Sequence, residues 1–550
     1  MNVDATVESH KAIGMPDAGP AIPVVSSDGK ELASTDPGLK IGRLTPKLSC
    51  LLALLLIGSL ALILRLHHLG TRGIWFDETF SAMIARLRWS QFALTLWNRE
   101  ANMAFYYLIL HFWEKLGSNP EFLRGLSVIF SVAALPLTYS LGARLFDRKT
   151  GLIAAWLLAI NAYDVRYAQE ARAYALVVFF SVLSTWLLVR NLQQQSSPSW
   201  GAFTIANVLL VYSHFYGGLL VIAQLVSLLF LPRAAVPWRA IGRSVLWFTL
   251  LVLPVPLVIR RIGSGPLNWI KKPDVHQVIT FFTIMAGNGG RTLLALSALS
   301  LLIAGFRFSQ TWRVKQSATE RWGYALILSW LIVPVALTLL VSYVQPFFLA
   351  RYFLFCLPAL LLGVAVGITR LRPYFLGVAL FLGVSAFALA GTAASYRTTL
   401  DNTDPDGDWR AASSYIFKRA RPGDGIFFFF SFGRVPFEYY RSQTSPASIW
   451  PEALYAPGGS ELQWKHFVFF PLAEVLADTR PAPKRVWVVF NHDGTSQGSP
   501  NRASLITVAT FAKDRQKIAQ KTFPGLTVML FSGDRNEDPE DDPEVPLPVR

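Results

Sequence analysis

At 550 residues, 52% of them hydrophobic and only 16% charged, the chain is too apolar for an ordinary soluble enzyme. Its formal net charge of +16 falls largely in short turns between long apolar blocks. There it orients a membrane chain and meets anionic headgroups, and no compact basic and aromatic platform for nucleic acid is present.

Repeated apolar blocks of this kind describe a polytopic helical membrane protein. Backbone groups in hydrocarbon must be satisfied within their own segment, and the blocks lack the alternation of a membrane β-barrel. The two cysteines, Cys50 and Cys356, both lie on or beside apolar blocks and suggest neither a disulfide framework nor a metal cluster.

Residues 1–49 read as a flexible cytoplasmic tail, polar and rich in Ser, Gly and Pro, with Lys40, Arg43 and Lys47 placed before membrane entry. The expected transmembrane domain covers 50–395. Its first span is Leu51 to about Leu69, followed by candidates at 102–116, 122–142, 151–163, 172–189, 201–213, 216–231, 244–260, 277–287, 292–306, 321–345, 352–369 and 374–391. Several fall short of the roughly 20 residues a perpendicular span needs, so the expected count is 11 to 13, with the block at 102–116 either a span or a helix lying along the membrane. An odd count places the loop after the first span and the region after Tyr396 on the same, non-cytoplasmic face.

From Asp401 the composition changes, and 396–532 reads as a small extracytoplasmic α/β domain. Strand candidates are Ile426–Phe430, His466–Phe470, Arg485–Phe490, Ser504–Ala509 and Leu526–Phe531, with helix-prone stretches at Trp409–Arg419 and Thr510–Lys521. Residues 533–550 form an acidic, Pro-rich tail.

Chemistry concentrates at three breaks between blocks. Arg72-Gly73-Ile74-Trp75-Phe76-Asp77-Glu78 sets two adjacent carboxylates among aromatics at the exit of the first span. Asp77 is the leading catalytic base, able to accept the proton of an attacking hydroxyl, while Glu78 can orient groups or, with Asp77, hold a divalent cation. In Tyr163–Tyr174, Arg166 and Glu170 are four residues apart, as are Glu170 and Tyr174. Glu170, a third catalytic candidate, can bind sugar hydroxyls or assist a cation, and Arg166 or Arg172 can neutralise a phosphate; the competing reading is a polar network that fixes two helices. Arg351-Tyr352 can clamp a lipid phosphate or serve as an interfacial anchor, with Lys271 and Lys272 as weaker phosphate candidates.

His214 stands in an apolar region without zinc-site spacing, which favours a satisfied interhelical histidine over a catalytic one. Gly287-Asn288-Gly289-Gly290 can form a turn or an anion nest. No Walker, Rossmann or nucleophile-elbow motif is present, which disfavours a nucleotide-driven pump.

Trp75-Phe76-Asp77-Glu78, Gln169–Tyr174 and Arg351-Tyr352 together resemble the bacterial membrane glycosyltransferases of the protein-mannosyltransferase-like superfamily, over most of 50–395. The resemblance implies a GT-C architecture, residence in the bacterial inner membrane, and transfer from a polyprenyl-phosphate-linked sugar to a lipid, glycan or protein acceptor at an extracytoplasmic cavity. It gives Asp77 the place of the first-loop aspartate, sets Glu170 near a second acidic position, and implies no certain cofactor. Aminoarabinose-transferase relatives carry a lysine-containing segment before the second block, where this chain has Asn98-Arg99-Glu100-Ala101-Asn102; that departure puts lipid A and aminoarabinose in doubt. A lipid or oligosaccharide transporter and a membrane scaffold are the alternative functions.

Overall fold

The computed structural model describes residues 46–194, 197–263, 270–313, 318–400, 407–444, 448–454, 483–492, 494–534 and 536–537. Among these, eight helices are long and apolar enough to cross a membrane. The first, α1 (Pro46–Leu66), is followed by three ten-residue helices, α2 (Phe76–Ala85), α3 (Trp89–Asn98) and α4 (Ala104–Trp113). At 1.5 Å per residue α4 rises about 15 Å, half of a ~30 Å hydrocarbon layer, so the block at 102–116 does not span by itself.

Helices α5 (Pro120–Leu145) and α6 (Arg148–Ile160) form a tight hairpin, in which the Asp147 carboxylate accepts from the Thr150 N–H at 2.8 Å. The hairpin closes on glycine: a Cβ on Gly151 would lie 2.4 Å from the Tyr139 carbonyl oxygen, so only a hydrogen fits between the two backbones. Asn161 ends α6 and caps the short α7 (Ala162–Ala168) by accepting from the Tyr163 and Asp164 N–H groups. That break delivers the Tyr163–Tyr174 segment to one end of the bundle before α8 (Tyr174–Gln193) returns to the other.

Helix α9 (Trp200–Ser213) packs on α8, breaks at His214, and gives way to α10 (Gly217–Ser227), which packs on a later long helix. Helices α11 (Trp238–Val252) and α12 (Pro254–Ile262) form one long apolar unit. Helices α13 (Val275–Ala286), α14 (Gly290–Arg313) and α15 (Ala318–Ser342) follow. Gly287, Asn288 and Gly290 all have positive φ and make the turn from α13 to α14. A 3₁₀ segment, Ala350–Cys356, opens the deeply buried α16 (Leu357–Arg370), and α17 (Tyr374–Leu400) completes the bundle.

The C-terminal region is an α/β unit with its own core around Trp409, Phe428, Trp487 and Phe531. Strands β1 (Gly425–Phe428), β2 (Glu452–Ala453), β3 (Arg485–Asn491), β4 (Gln516–Phe523) and β5 (Leu526–Ser532) make one sheet in the order β2-β1-β3-β5-β4. Neighbours are parallel on the β1 side and antiparallel from β3 to β4, and helices α18 (Trp409–Arg419), α19 (Arg434–Ser442) and α20 (Arg502–Phe511) complete the unit.

Two segments differ from the sequence-based expectation. Ser504–Ala509 is helical, because the Asn501 side chain accepts from the Ser504 N–H at 2.9 Å and starts α20 ahead of the β-branched run. The helix-prone Thr510–Lys521 instead contributes most of edge strand β4, whose pairing to β5 overrides its Lys and Gln content; such charges are common on sheet edges. The strand expected at His466–Phe470 and the tail from 538 lie outside the described residues. Both cysteines are free.

Candidate functional site

The site is built on the loop that leaves α1. Trp75 is the N-cap of α2, and Glu78, three residues on, reaches back to the Trp75 N–H at 3.4 Å. Asp77 and Glu78 therefore both occupy a first helical turn, where carboxylates suit the helix dipole, but they point to different surroundings.

Glu78 is fully buried, and both its oxygens are engaged. Arg124 donates from Nε to Oε1 at 2.8 Å and from Nη2 to Oε2 at 2.7 Å, and the Ala171 N–H adds a bond of 2.7 Å. Burial alone would push this carboxyl up, but the Arg124 charge and hydrogen bonds hold it below the ordinary carboxylate range. Arg124 also donates to the carbonyls of Leu69, Arg72 and Gly73 at 2.6, 3.0 and 2.9 Å. One buried guanidinium thus fastens the whole loop to α5.

Asp77 keeps 21% of its side chain exposed. Its Oδ2 lies 3.7 Å from Arg172 Nη2 and 3.9 Å from Arg351 Nη1, close enough for attraction and too far for a tight hydrogen bond. Arg172 is fixed by donating to the Asp77 carbonyl at 3.1 Å, Ser81 Oγ at 3.0 Å and the Tyr107 hydroxyl at 3.4 Å. The Tyr107 hydroxyl in turn donates to Glu100 at 3.4 Å. Burial pushes Glu100 above the ordinary carboxylate range, with Arg172 opposing and the nearby Asp77 charge adding to the rise.

Glu170, 2% exposed, takes Arg166 Nε at 3.1 Å and lies 3.8 Å from Arg72, while its Oε2 has no hydrogen-bond partner among the described residues. The expected pairing of Arg166 with Glu170 is therefore present. Tyr174 does not join it: its ring meets Tyr167 at 4.7 Å, and Tyr167 meets Tyr163 at 5.1 Å. Below this segment Asp164 pairs with Arg65 at 2.6 Å in a buried bridge tying α7 to α1.

A second aromatic group closes the other side. Tyr352 lies 4.8 Å from the His214 ring and 5.0 Å from Tyr216, with the Arg351 guanidinium over its face at 6.0 Å. His214 approaches Asn102 Nδ2 at 3.2 Å and accepts from the Tyr216 N–H at 3.3 Å. Burial, with the Arg172 and Arg351 charges, pushes His214 down to about 3, so it is neutral near pH 7.

Asp77, Arg172, Arg351 and Tyr352 come together, and Glu170 and Arg166 form an adjoining pair; Lys271 and Lys272 are exposed on the segment before α13. The Asp77 and Glu78 pair does not suit a divalent cation. Arg124 and the Ala171 N–H occupy Glu78, two arginines flank Asp77, and no group of three His, Cys, Asp or Glu side chains able to hold a metal occurs among the described residues. Arg124, Glu100 and Tyr107 were not expected at the site. Arg124 had a visible signal, a lone arginine within the apolar block that became α5.

The arrangement favours an anion beside a carboxylate. Arg72, Arg124, Arg166, Arg172 and Arg351 meet the carboxylates of Asp77, Glu78 and Glu170, a surplus of positive charge around a partly open aspartate.

Residues 102–259 match the family model of dolichyl-phosphate-mannose-protein mannosyltransferases. Among proteins of curated function, none matches the sequence significantly. The fold is similar to that of ArnT from Cupriavidus metallidurans in its apo state, with a TM-score of 0.57 at 12% identity, covering 88% of this chain and 98% of that one. The same ArnT bound to undecaprenyl phosphate gives a TM-score of 0.56 at the same identity and coverage. The family model thus covers one stretch of the chain, residues 102–259, and the fold over most of the chain's length is similar to that of ArnT.

Proposed function

We propose that the chain moves a sugar from a polyprenyl-phosphate-linked donor to a hydroxyl or other nucleophile of a lipid, glycan or protein acceptor, with Asp77 as base. The observation that carries this is the partly open Asp77 carboxylate held between Arg172 and Arg351. The acceptor oxygen attacks the anomeric carbon as the bond from that carbon to the phosphate oxygen breaks. Its proton passes to Asp77, and the electron pair leaves with the lipid phosphate, where Arg351 and Arg172 stabilise the developing charge. Undecaprenyl phosphate in the ArnT of similar fold supports a donor of this class. Glu78 positions the loop through Arg124, and Glu170 with Arg166 adjoins the space for sugar hydroxyls.

In this proposal the chain resides in the bacterial inner membrane, with the site and the α/β unit extracytoplasmic. The basic residues before α1 support that orientation. In membranes supplied with a polyprenyl-phosphate sugar and a candidate acceptor, Asp77→Asn is expected to lower product formation, read by mass, by roughly 10²–10⁴-fold at unchanged protein abundance. Transfer at the wild-type rate would remove Asp77 from the role of base.

A further inference from the structure

At the end of the bundle away from Asp77 the structure holds a second basic site. Arg351 and Arg370 bracket one apolar unit, Ala350–Arg370, of 21 residues, so a full membrane thickness separates them. At the Arg370 end a cavity of about 490 Å³ opens between the last turns of α14 and the turn from α16 to α17, lined by Leu302, Ile303, Phe306, Arg307, Arg370 and Arg372 among others.

Its charges are unequal in kind. Arg370 is neutralised, bonding Asp147 at 2.7 Å and Glu320 at 3.4 Å. Arg307 is held in place by neutral acceptors, Gln310 Oε1 and the Arg370 carbonyl, both at 3.0 Å. Arg372 donates at 3.4 Å to the carbonyl of Leu371 beside it. Neither Arg307 nor Arg372 has a carboxylate partner among the described residues, so a held positive charge, Arg307, and an exposed one, Arg372, stand at the rim. The wall below them is apolar and open: Leu302 is 72% and Phe306 62% exposed.

We propose that this cavity binds the headgroup of an anionic glycerophospholipid, with its phosphate on Arg307 and Arg372 and an acyl chain along Leu302, Ile303 and Phe306. A directed guanidinium above a lipid-facing apolar strip matches both halves of such a molecule, whereas a soluble anion would use only the upper half. The site lies a membrane thickness from Asp77 and does not depend on the transfer reaction.

The test uses the purified full-length protein in phosphatidylcholine nanodiscs with and without phosphatidylglycerol, reading retained lipid by native mass spectrometry and thermal stability in parallel. Phosphatidylglycerol is expected to be retained selectively, and the Arg307→Gln/Arg372→Gln double variant to weaken retention by about thirtyfold, the effect of two basic side chains at a lipid surface. The single variant Arg372→Gln, in a turn and with only a local hydrogen bond, is expected to weaken it about fivefold and covers the case in which the double variant does not fold. Equal retention of phosphatidylcholine, unchanged retention in Arg372→Gln, or equal protection by soluble glycerol phosphate would each overturn the proposal.

Discussion

Adjacent carboxylates do different work because their burial differs. Glu78 sits in a bidentate bond with Arg124, and removal of one partner of a buried pair strands the other charge. Arg124→Ala is expected to destabilise the protein by about 3–5 kcal/mol, visible as a lower thermal midpoint in detergent, whereas Asp77→Asn leaves that midpoint nearly unchanged. His214 gives a pH signature. An ordinary histidine titrates near 6.5, but folding holds this one down to about 3. Its contribution to stability is complete above about pH 6.5 and is lost as pH falls toward 3, since only the unfolded chain takes up the proton. Thermal stability should therefore fall between pH 7 and 4.5, and His214→Gln should make that fall shallower. An equally steep decline in the variant would show that other groups carry it.

At the scale of elements, the α/β unit is seated on the loop that carries Asp77. The Tyr440 hydroxyl accepts from the Ile74 N–H at 2.9 Å and donates to the Ile74 carbonyl at 3.1 Å, Tyr439 donates to the Ser118 carbonyl, and Arg86 reaches Ser442. Tyr440→Phe removes both bonds to Ile74 at a cost of about 1–3 kcal/mol. Its expected outcome is faster amide hydrogen exchange across residues 69–80 with little change in the spans, and unaltered exchange there would mean the contact does not restrain the loop. The sequence made the helical bundle and strands β1, β3 and β5 readable, because apolar blocks and β-rich runs are local signals. It misled at α20 and β4, where a single cap and an edge pairing outweighed the intrinsic preference of the segment.

For the whole molecule, the breaks between blocks proved more informative than the blocks. Loop and helix ends near 77, 172, 214 and 351, far apart in the chain, converge on one end of the bundle. The residue types at those breaks were legible, since charge and phenol groups stand out against apolar surroundings. Their partnerships were not: nothing local tells that Glu78 turns toward Arg124 while Asp77 turns toward Arg172 and Arg351, because that choice depends on how α5 and the Tyr163–Tyr174 segment pack. In the sequence Glu100 stands out only as a departure from a related pattern, and its link to Arg172 through Tyr107 exists only in three dimensions.

The Arg124 fastening also bears on how this chain can be re-engineered. Because one side chain of α5 holds the carbonyls of Leu69, Arg72 and Gly73 together with Glu78, residues 69–78 are not a module that can be exchanged alone. A chimera that imports this loop from a relative must import the matching arginine on its fifth helix and the backbone donor at position 171, or the graft inherits a buried, unanswered charge. The Tyr352 and His214 side of the site stands apart from that fastening: it is held by ring contacts together with the bonds of His214 to Asn102 and to the Tyr216 N–H.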